Sequence, residues 1–294
     1  MLTNIFCETD DFCKQFEKEF GKYSLTSGKK IRNRLIRISL SEIITLSIYY
    51  HHSGYKTFKD YYEKHVLFSL KSEFPSLVSY NRFLELKTKA FLPMMIFLQL
   101  QAKNKCTGIS YIDSFSLEVS HPKRIYFHKT FKNLAKRGKT SVGWFYGFKL
   151  HLITNQFGEI LSFAITPGNV MDNNNTLIYT LTKDLFGKFF GDKGYLLKTP
   201  FWQKLYEEGK HFVTKIRQNM KNKLMSLSDK LLLKKRGVIE SVGAIFKEQL
   251  SLEHSRHRSI LGFLNHVISS IAAYNFKSKK PSIKGFVYKV ETLA

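Results

Sequence analysis

The chain has 294 residues, 43% hydrophobic and 15% aromatic, with a formal net charge of +24 and an isoelectric point near 9.8. That length is enough for a sizeable core in one large or two medium domains, and the charge favours polyanionic partners. No apolar run approaches the roughly 20 residues that cross a bilayer, the first residues lack the basic-then-apolar pattern of a secretory signal, and Cys7, Cys13 and Cys106 have no metal-ligand spacing, so the expectation is a cytoplasmic protein with reduced thiols, no membrane partner and no zinc.

Residues 1–29 read as an N-terminal arm, whose first twenty residues are locally acidic and either helical or mobile. Ser39-Leu40-Ser41-Glu42 is a capping box, which predicts a helix running to Gly54 as its stop. Thr57-Phe58-Lys59-Asp60 opens a second helix in the same manner, and after Pro75 a third is expected over 80–102, with Ser79 as its N-cap. Residues 30–104 therefore form an all-helical unit. Short helices and tight turns suit helix-turn-helix DNA binding, and equally a bundle used for packing or dimerisation.

From Gly108 the pattern changes. Strands are expected over 108–115, 147–154, 159–165, 185–190 and 211–216, the second and third forming a hairpin around Asn155-Gln156-Phe157-Gly158. Helices are expected over 173–184, 199–209, 237–250 and 259–276. Mixed strands and helices behind a helical front end point to an α/β or α+β domain over 105–283, with 284–294 as a tail.

Basic runs punctuate this half. Residues 121–149 hold eight Lys/Arg and no acid, among them Lys136 and Arg137, and residues 210–236 hold nine Lys/Arg and one acid. His254-Ser255-Arg256-His257-Arg258 is a third cluster, in which His254 and His257 sit among arginines and are expected to face phosphate, and 277–289 is a fourth. Interleaved aromatics include Tyr126, Phe127, Trp144 and Phe145; Trp144 with Phe145 fits either base stacking or the core. Repeated clusters of this kind favour nucleic acid over a merely solvated face.

Three acids stand out against this background. Asp113 shares a strand face with Ile109, Tyr111 and Phe115, where an ionised carboxylate is expensive unless paired or metal-bound. Asp192 follows an apolar strand in Gly-Asp-Lys-Gly-Tyr, bracketed by glycines and followed by Lys193. Glu240 shares a helical face with Arg236 and Lys247, four residues before and seven after, and Gly243 leaves a low-profile surface nearby. Asp172 reads as a helix N-cap, with a role as substitute acid open, and His151 as a core or supporting residue.

These tags together resemble a family. Ser-Tyr-Asn-Arg-Phe (79–83), Tyr-Ile-Asp-Ser (111–114), the basic stretch 124–139, Gly-Trp-Phe-Tyr-Gly-Phe-Lys-Leu-His-Leu (143–152), Thr-Pro-Gly-Asn-Val-Met-Asp (166–172), Gly-Asp-Lys-Gly-Tyr (191–195), Ile-Glu (239–240) and His-Ser-Arg-His-Arg-Ser (254–259) occur in the order and spacing of a DDE transposase of a bacterial insertion sequence. The resemblance runs from about residue 30 to 283. It implies a ribonuclease H-like core, a mixed sheet flanked by helices behind the helical N-terminal domain. In that core Asp113, Asp192 and Glu240 are the catalytic, metal-holding carboxylates, with two Mg²⁺ or Mn²⁺ per site.

The implied activity is binding of terminal inverted repeats, then cleavage and strand transfer by phosphoryl transfer into target DNA. A homodimer is implied in the working complex, and Arg236, Lys247, Lys193, Arg256, Arg258, Lys136 and Arg137 are the expected DNA contacts. Leu233 stands where many relatives place a tyrosine. The alternatives are a catalytically silent DNA-binding relic and a metal-dependent nuclease with the same core.

Overall fold

The computed structural model describes residues 1–26, 37–140, 143–215, 225–253 and 257–283. In chain order the helices are α1 (Leu2–Thr26), α2 (Leu40–Tyr49), α3 (Phe58–Asp60), α4 (Leu67–Ser69), α5 (Tyr80–Lys89), α6 (Phe91–Ala102), α7 (Asn175–Thr182), α8 (Thr199–Glu207), α9 (Leu227–Lys234), α10 (Gly237–Glu248) and α11 (Ile260–Asn275). The strands are β1 (Ile109–Ser120), β2 (Lys136–Lys139), β3 (Trp144–Asn155), β4 (Ile160–Pro167), β5 (Gly187–Gly191) and β6 (Lys210–Thr214). Two compact units result: Met1–Gln101 with Phe246–Lys277, and Ala102–Ile245 with the described residues from Ser278 on.

The first unit is helical. The expected arm is a single 25-residue helix, α1, with Ile5, Phe12 and Cys13 buried. The Thr9 and Thr45 hydroxyls meet at 2.7 Å and tie it to α2. The capping box forms as read: Ser39 Oγ accepts from the Glu42 amide at 3.1 Å, and the Ser39 amide donates to Glu42 Oε2 at 2.6 Å. Gly54 adopts φ +75°, the left-handed conformation that ends a helix cheaply with glycine. Thr57 caps α3, and a π-helical turn over Tyr61–Val66 joins it to α4. The helix expected over 80–102 is two, interrupted at Ala90.

The second unit is built on a mixed six-stranded sheet. Its order is β2-β3-β1-β5-β6, with β4 also on β3. β3 is antiparallel to β1, β2 and β4, whereas β1, β5 and β6 run parallel. β1 extends to Ser120, well past the expected strand, because ten of its residues pair with β3. The stretch 121–149, read only as basic, supplies a 3₁₀ turn over Pro122–Phe127, β2 and the first half of β3. Helix α9 lies in another stretch read only as basic; Ser226 caps it by accepting from the Asp229 amide.

Strand alternation splits β1 between two faces. Ile112 points into a cluster with Ile153, Ile178, Leu181, Phe189 and Leu205. Tyr111 and Phe115 take the other side, where the Tyr111 hydroxyl donates to the Leu232 carbonyl at 3.3 Å and Phe115 fills the space a side chain at Gly243 would need. Gly243 is thus the docking notch of α10 on β1: the low-profile surface expected beside Glu240 is filled by the Phe115 ring. Gly243→Val inserts carbon into a filled contact. It is expected to destabilise the fold by about 1–3 kcal/mol, read as a lower urea midpoint with an unchanged slope.

Candidate active site

The parallel register pairs Tyr111 of β1 with Phe190 of β5. Two residues further on stand Asp113, inside β1, and Asp192, just past the end of β5, so the parallel pairing brings both aspartates to the same level. The Gly243 notch holds α10 against the face carrying Asp113, with Glu240 one turn earlier on that helix. Arg236 completes the group: its guanidinium donates to Asp113 Oδ2 at 3.3 Å and to Glu240 Oε1. Backbone amides hold the aspartates as well. Ser114 N–H donates to Asp113 Oδ1 at 2.9 Å, and Gly194 N–H to Asp192 Oδ1 at 2.8 Å.

The acids differ in exposure. The Asp113 side chain is 18% exposed and that of Glu240 55%. Burial pushes the Asp113 carboxyl up from 3.8 to about 6; Arg236 and the Ser114 amide pull it back, and the charges of Asp192 and Glu240 add to the rise. The three acids therefore share one electrostatic neighbourhood.

Three carboxylates offer hard oxygen donors, which suit Mg²⁺ or Mn²⁺ far better than a soft metal. One arginine leaves them a net negative charge. Among the described residues no three His, Cys, Asp or Glu side chains already stand as a closed metal cluster, and Arg236 lies between Asp113 and Glu240. The donor set fits a divalent cation provided the guanidinium gives up at least one carboxylate.

Asp172 is not the N-cap that its sequence context suggests. Asn174 caps α7, its Oδ1 accepting from the Leu177 amide at 3.0 Å. Asp172 Oδ1 instead accepts from Ser114 Oγ and from Lys149 Nζ, both at 3.0 Å. His151 is fully buried, with Nε2 2.9 Å from Thr166 Oγ1 and Nδ1 3.9 Å from Asp172; burial lowers its pKa to about 4, which keeps it neutral. The readable signal was Lys149 and His151 two apart on an otherwise apolar strand, polar side chains that must find partners on one sheet face.

The expected DNA contacts are spread more widely. Lys193 is exposed directly after Asp192, and Lys136 and Arg137 are exposed on β2, where they line an open groove with Ile125, Tyr126 and Lys132. Tyr126 and Phe127 are more than 80% exposed and Trp144 63%, whereas Phe145 is buried, so only Trp144 of that pair is free to stack. In the helical unit Arg258 is exposed and Lys247 pairs with Glu253 at 2.7 Å. Arg256 lies outside the described residues. Leu233, in the tyrosine position, is buried.

The raised pKa of Asp113 has a stability consequence with a definite sign. The folded state holds this proton up to about pH 6 and the unfolded chain only to about 3.8, so ionisation costs nothing below about pH 4 and its full penalty is present above about pH 6. In EDTA, Asp113→Asn is expected to gain on the order of 2 kcal/mol over the parent chain at pH 7.5 and to lose that gain by pH 4. Urea unfolding across that range checks it, and an equal midpoint at pH 7.5 contradicts desolvation of this carboxyl.

A family model described as a transposase DDE domain matches residues 103–260, more than half of the chain. No curated protein and no solved structure matches the chain. The matched stretch contains Asp113, Asp192, Arg236 and Glu240, and the chain belongs to the DDE transposase family.

Proposed function

We propose that this transposase is catalytically active, with Asp113, Asp192 and Glu240 holding Mg²⁺ or Mn²⁺, two ions per site, for cleavage and strand transfer at the ends of its element. The observation that carries this is that Arg236 bridges Asp113 of β1 and Glu240 of α10, while Asp192 at the end of β5 lies in the field of Asp113. A ribonuclease H-like assignment draws support from the sheet, in which antiparallel β3 leads into parallel β1, β5 and β6.

Bound divalent ions would supply an activated attacking oxygen and neutralise charge on the leaving one. The chain's own residues do the rest. Asp113 ionises near pH 6 and then holds Arg236 more firmly, so the guanidinium would come free only where a bound cation takes over its carboxylates. The freed guanidinium can grip two oxygens of a neighbouring phosphate, as a planar fork does and a lysine does not. Lys193 lies exposed beside the acids, while Lys136, Arg137 and Tyr126 on the β2 groove, with Trp144, suit a strand leading away from the cut: cations for phosphates and rings for unpaired bases. Water is the nucleophile for the nick and a DNA 3′-hydroxyl for joining, with no covalent protein–DNA intermediate. The helical unit, with Arg258 exposed, contributes to recognition of the terminal inverted repeats, and pairing two ends calls for a homodimer.

Asp113→Ala, Asp192→Ala and Glu240→Ala are each expected to abolish Mg²⁺-dependent cleavage while end binding stays within a few-fold. Near-normal cleavage by any one of them removes that residue from the site, and cleavage by the parent chain without joining reassigns it as a nuclease. A parent chain that binds ends yet never cuts is the silent relic.

Binding to ends should also be strongly salt-dependent. For six to ten phosphate contacts, affinity falls roughly 10³–10⁵-fold between 50 and 200 mM salt. A binding constant flat over that range refutes a phosphate-gripping role for the basic clusters.

A further inference from the structure

Three acids account for the proposed chemistry, and a fourth stands immediately behind them. Asp172 and its partners occupy the opposite face of β1 from Asp113, because Ser114 follows Asp113 and points the other way. In the β1–β3 register Ser114 lies opposite His151 and Ser116 opposite Lys149, which places Lys149, His151 and Ser114 on one side of the sheet. Asp172 reaches this side from the segment between β4 and α7.

Each oxygen of Asp172 faces a different support of the site. Oδ1 accepts from Ser114 Oγ, and the amide of that same Ser114 donates to Asp113. Oδ2 borders Gly194: a Cβ there would lie 2.9 Å from Asp192 Oδ1 and 3.3 Å from Asp172 Oδ2. The Gly194 amide in turn donates to Asp192. Both backbone donors that hold the two catalytic aspartates thus belong to residues in contact with Asp172.

Asp172 is itself fixed. Lys149, only 13% exposed, donates both to Asp172 and to the Val170 carbonyl at 3.0 Å, so the carboxylate and its own loop hang from one ammonium. Tyr195 closes the back of this space. It is 1% exposed, and its hydroxyl lies in the field of Asp172, Asp113 and Asp192, beside the Ser114 side chain. His151 Nδ1, also buried, has no hydrogen-bond partner among the described residues. A buried salt link beside an unpartnered ring nitrogen is an expensive way to fill a core. Plain packing would be served better by apolar residues, so the arrangement points to a task at the site.

We infer that Asp172 is a positioning residue for the transposase reaction: anchored by Lys149, it braces Ser114 and abuts Gly194, and through their amides aims Asp113 and Asp192 at the cations they are to hold. This rests on the assignment of those two aspartates above. One arm of its action runs along a hydrogen-bonded line, Lys149 to Asp172 to Ser114 to Asp113, and the other through Gly194 to Asp192. A change at Asp172 touches both arms and one at Ser114 only the first, so the loss at Ser114 must fall within the loss at Asp172, and changing both must add little to Asp172 alone.

The test compares the full-length chain with Asp172→Asn, Ser114→Ala and the double variant. Mn²⁺ affinity is read by electron paramagnetic resonance without DNA, alongside cleavage kinetics on an end duplex and thermal unfolding. Each single change is expected to weaken Mn²⁺ binding roughly 10–100-fold, as loss of a partner supporting a metal ligand does. The turnover rate should fall with little change in KM for DNA, and the double variant should be no worse than the weaker single one.

Unchanged Mn²⁺ affinity in folded Asp172→Asn overturns the inference. So does a double variant whose loss is the product of the two singles, and so does a lowered melting temperature with normal Mn²⁺ binding, the mark of a purely structural acid. Should Asp172→Asn fail to fold, Ser114→Ala, which deletes one hydroxyl, decides alone. A parent chain that neither binds Mn²⁺ nor cleaves brings down the proposed function and this inference together. A parent chain that does both, with variants equal to it, brings down this inference only.

Discussion

An ionised carboxylate at Asp113 is costly where β1 leaves it, and the site is arranged around that cost. The side chain is mostly shielded, with two further acids in its field. A lone carboxylate in such a place protonates, and its pKa near 6 records how far it has gone. Arg236 supplies the compensating charge in the free chain and does so for Glu240 as well. The same arrangement prepares the site for a different cation. An internal guanidinium and a divalent ion answer the same negative field, and the guanidinium has a second natural partner in a DNA phosphate. In the proposed reaction, loading of metal and arrival of DNA would be coupled through that one side chain, since each offers what the other displaces.

That coupling works only because the backbone beneath it is stiff. β1 has β3 along most of one edge and β5 along Ile109–Tyr111 of the other, so the stretch leading into Asp113 is held from both sides. Helix α10 is brought close by a missing side chain, Gly243, filled by the ring of Phe115. Behind the strand, Lys149 and Asp172 form a charged brace where hydrophobic contacts would otherwise serve. Alternation along the strand separates the two tasks: Asp113 faces the chemistry, and Ser114 faces the support.

Much of the local structure was legible in the sequence. The Ser39–Glu42 capping box, the Thr57 and Ser79 caps, the hairpin around Asn155–Gly158 and the strand before Asp192 are specified by short-range hydrogen bonding and by two-residue or helical periodicity. Elements embedded in basic stretches were not. Strand β2 carries no apolar side chain, and α9 gathers its leucines in a short run among lysines, so their identity comes from pairing and packing partners along the chain. The break at Ala90 did have a local signal: Pro93 cannot donate to the Lys89 carbonyl and so fits only the first turn of a new helix.

The sequence by itself determined that the protein is a strongly basic molecule with a helical front part, a mixed part behind it and an acid, Asp113, on a strand where charge is expensive, and the order of its tags pointed to the family. Composition and motif spacing are properties of the chain, independent of how it folds. Tertiary structure alone decided which polar groups meet. Arg236 turned from an expected phosphate grip into the bridge between Asp113 and Glu240, Lys247 found Glu253, and Asp172 left the helix cap to Asn174 and joined Lys149 and Ser114. Each of these pairings depends on where a side chain more than one turn away, or on another element, comes to rest. Partner choice among like-charged candidates is set by strand register and helix docking, which pattern alone does not encode.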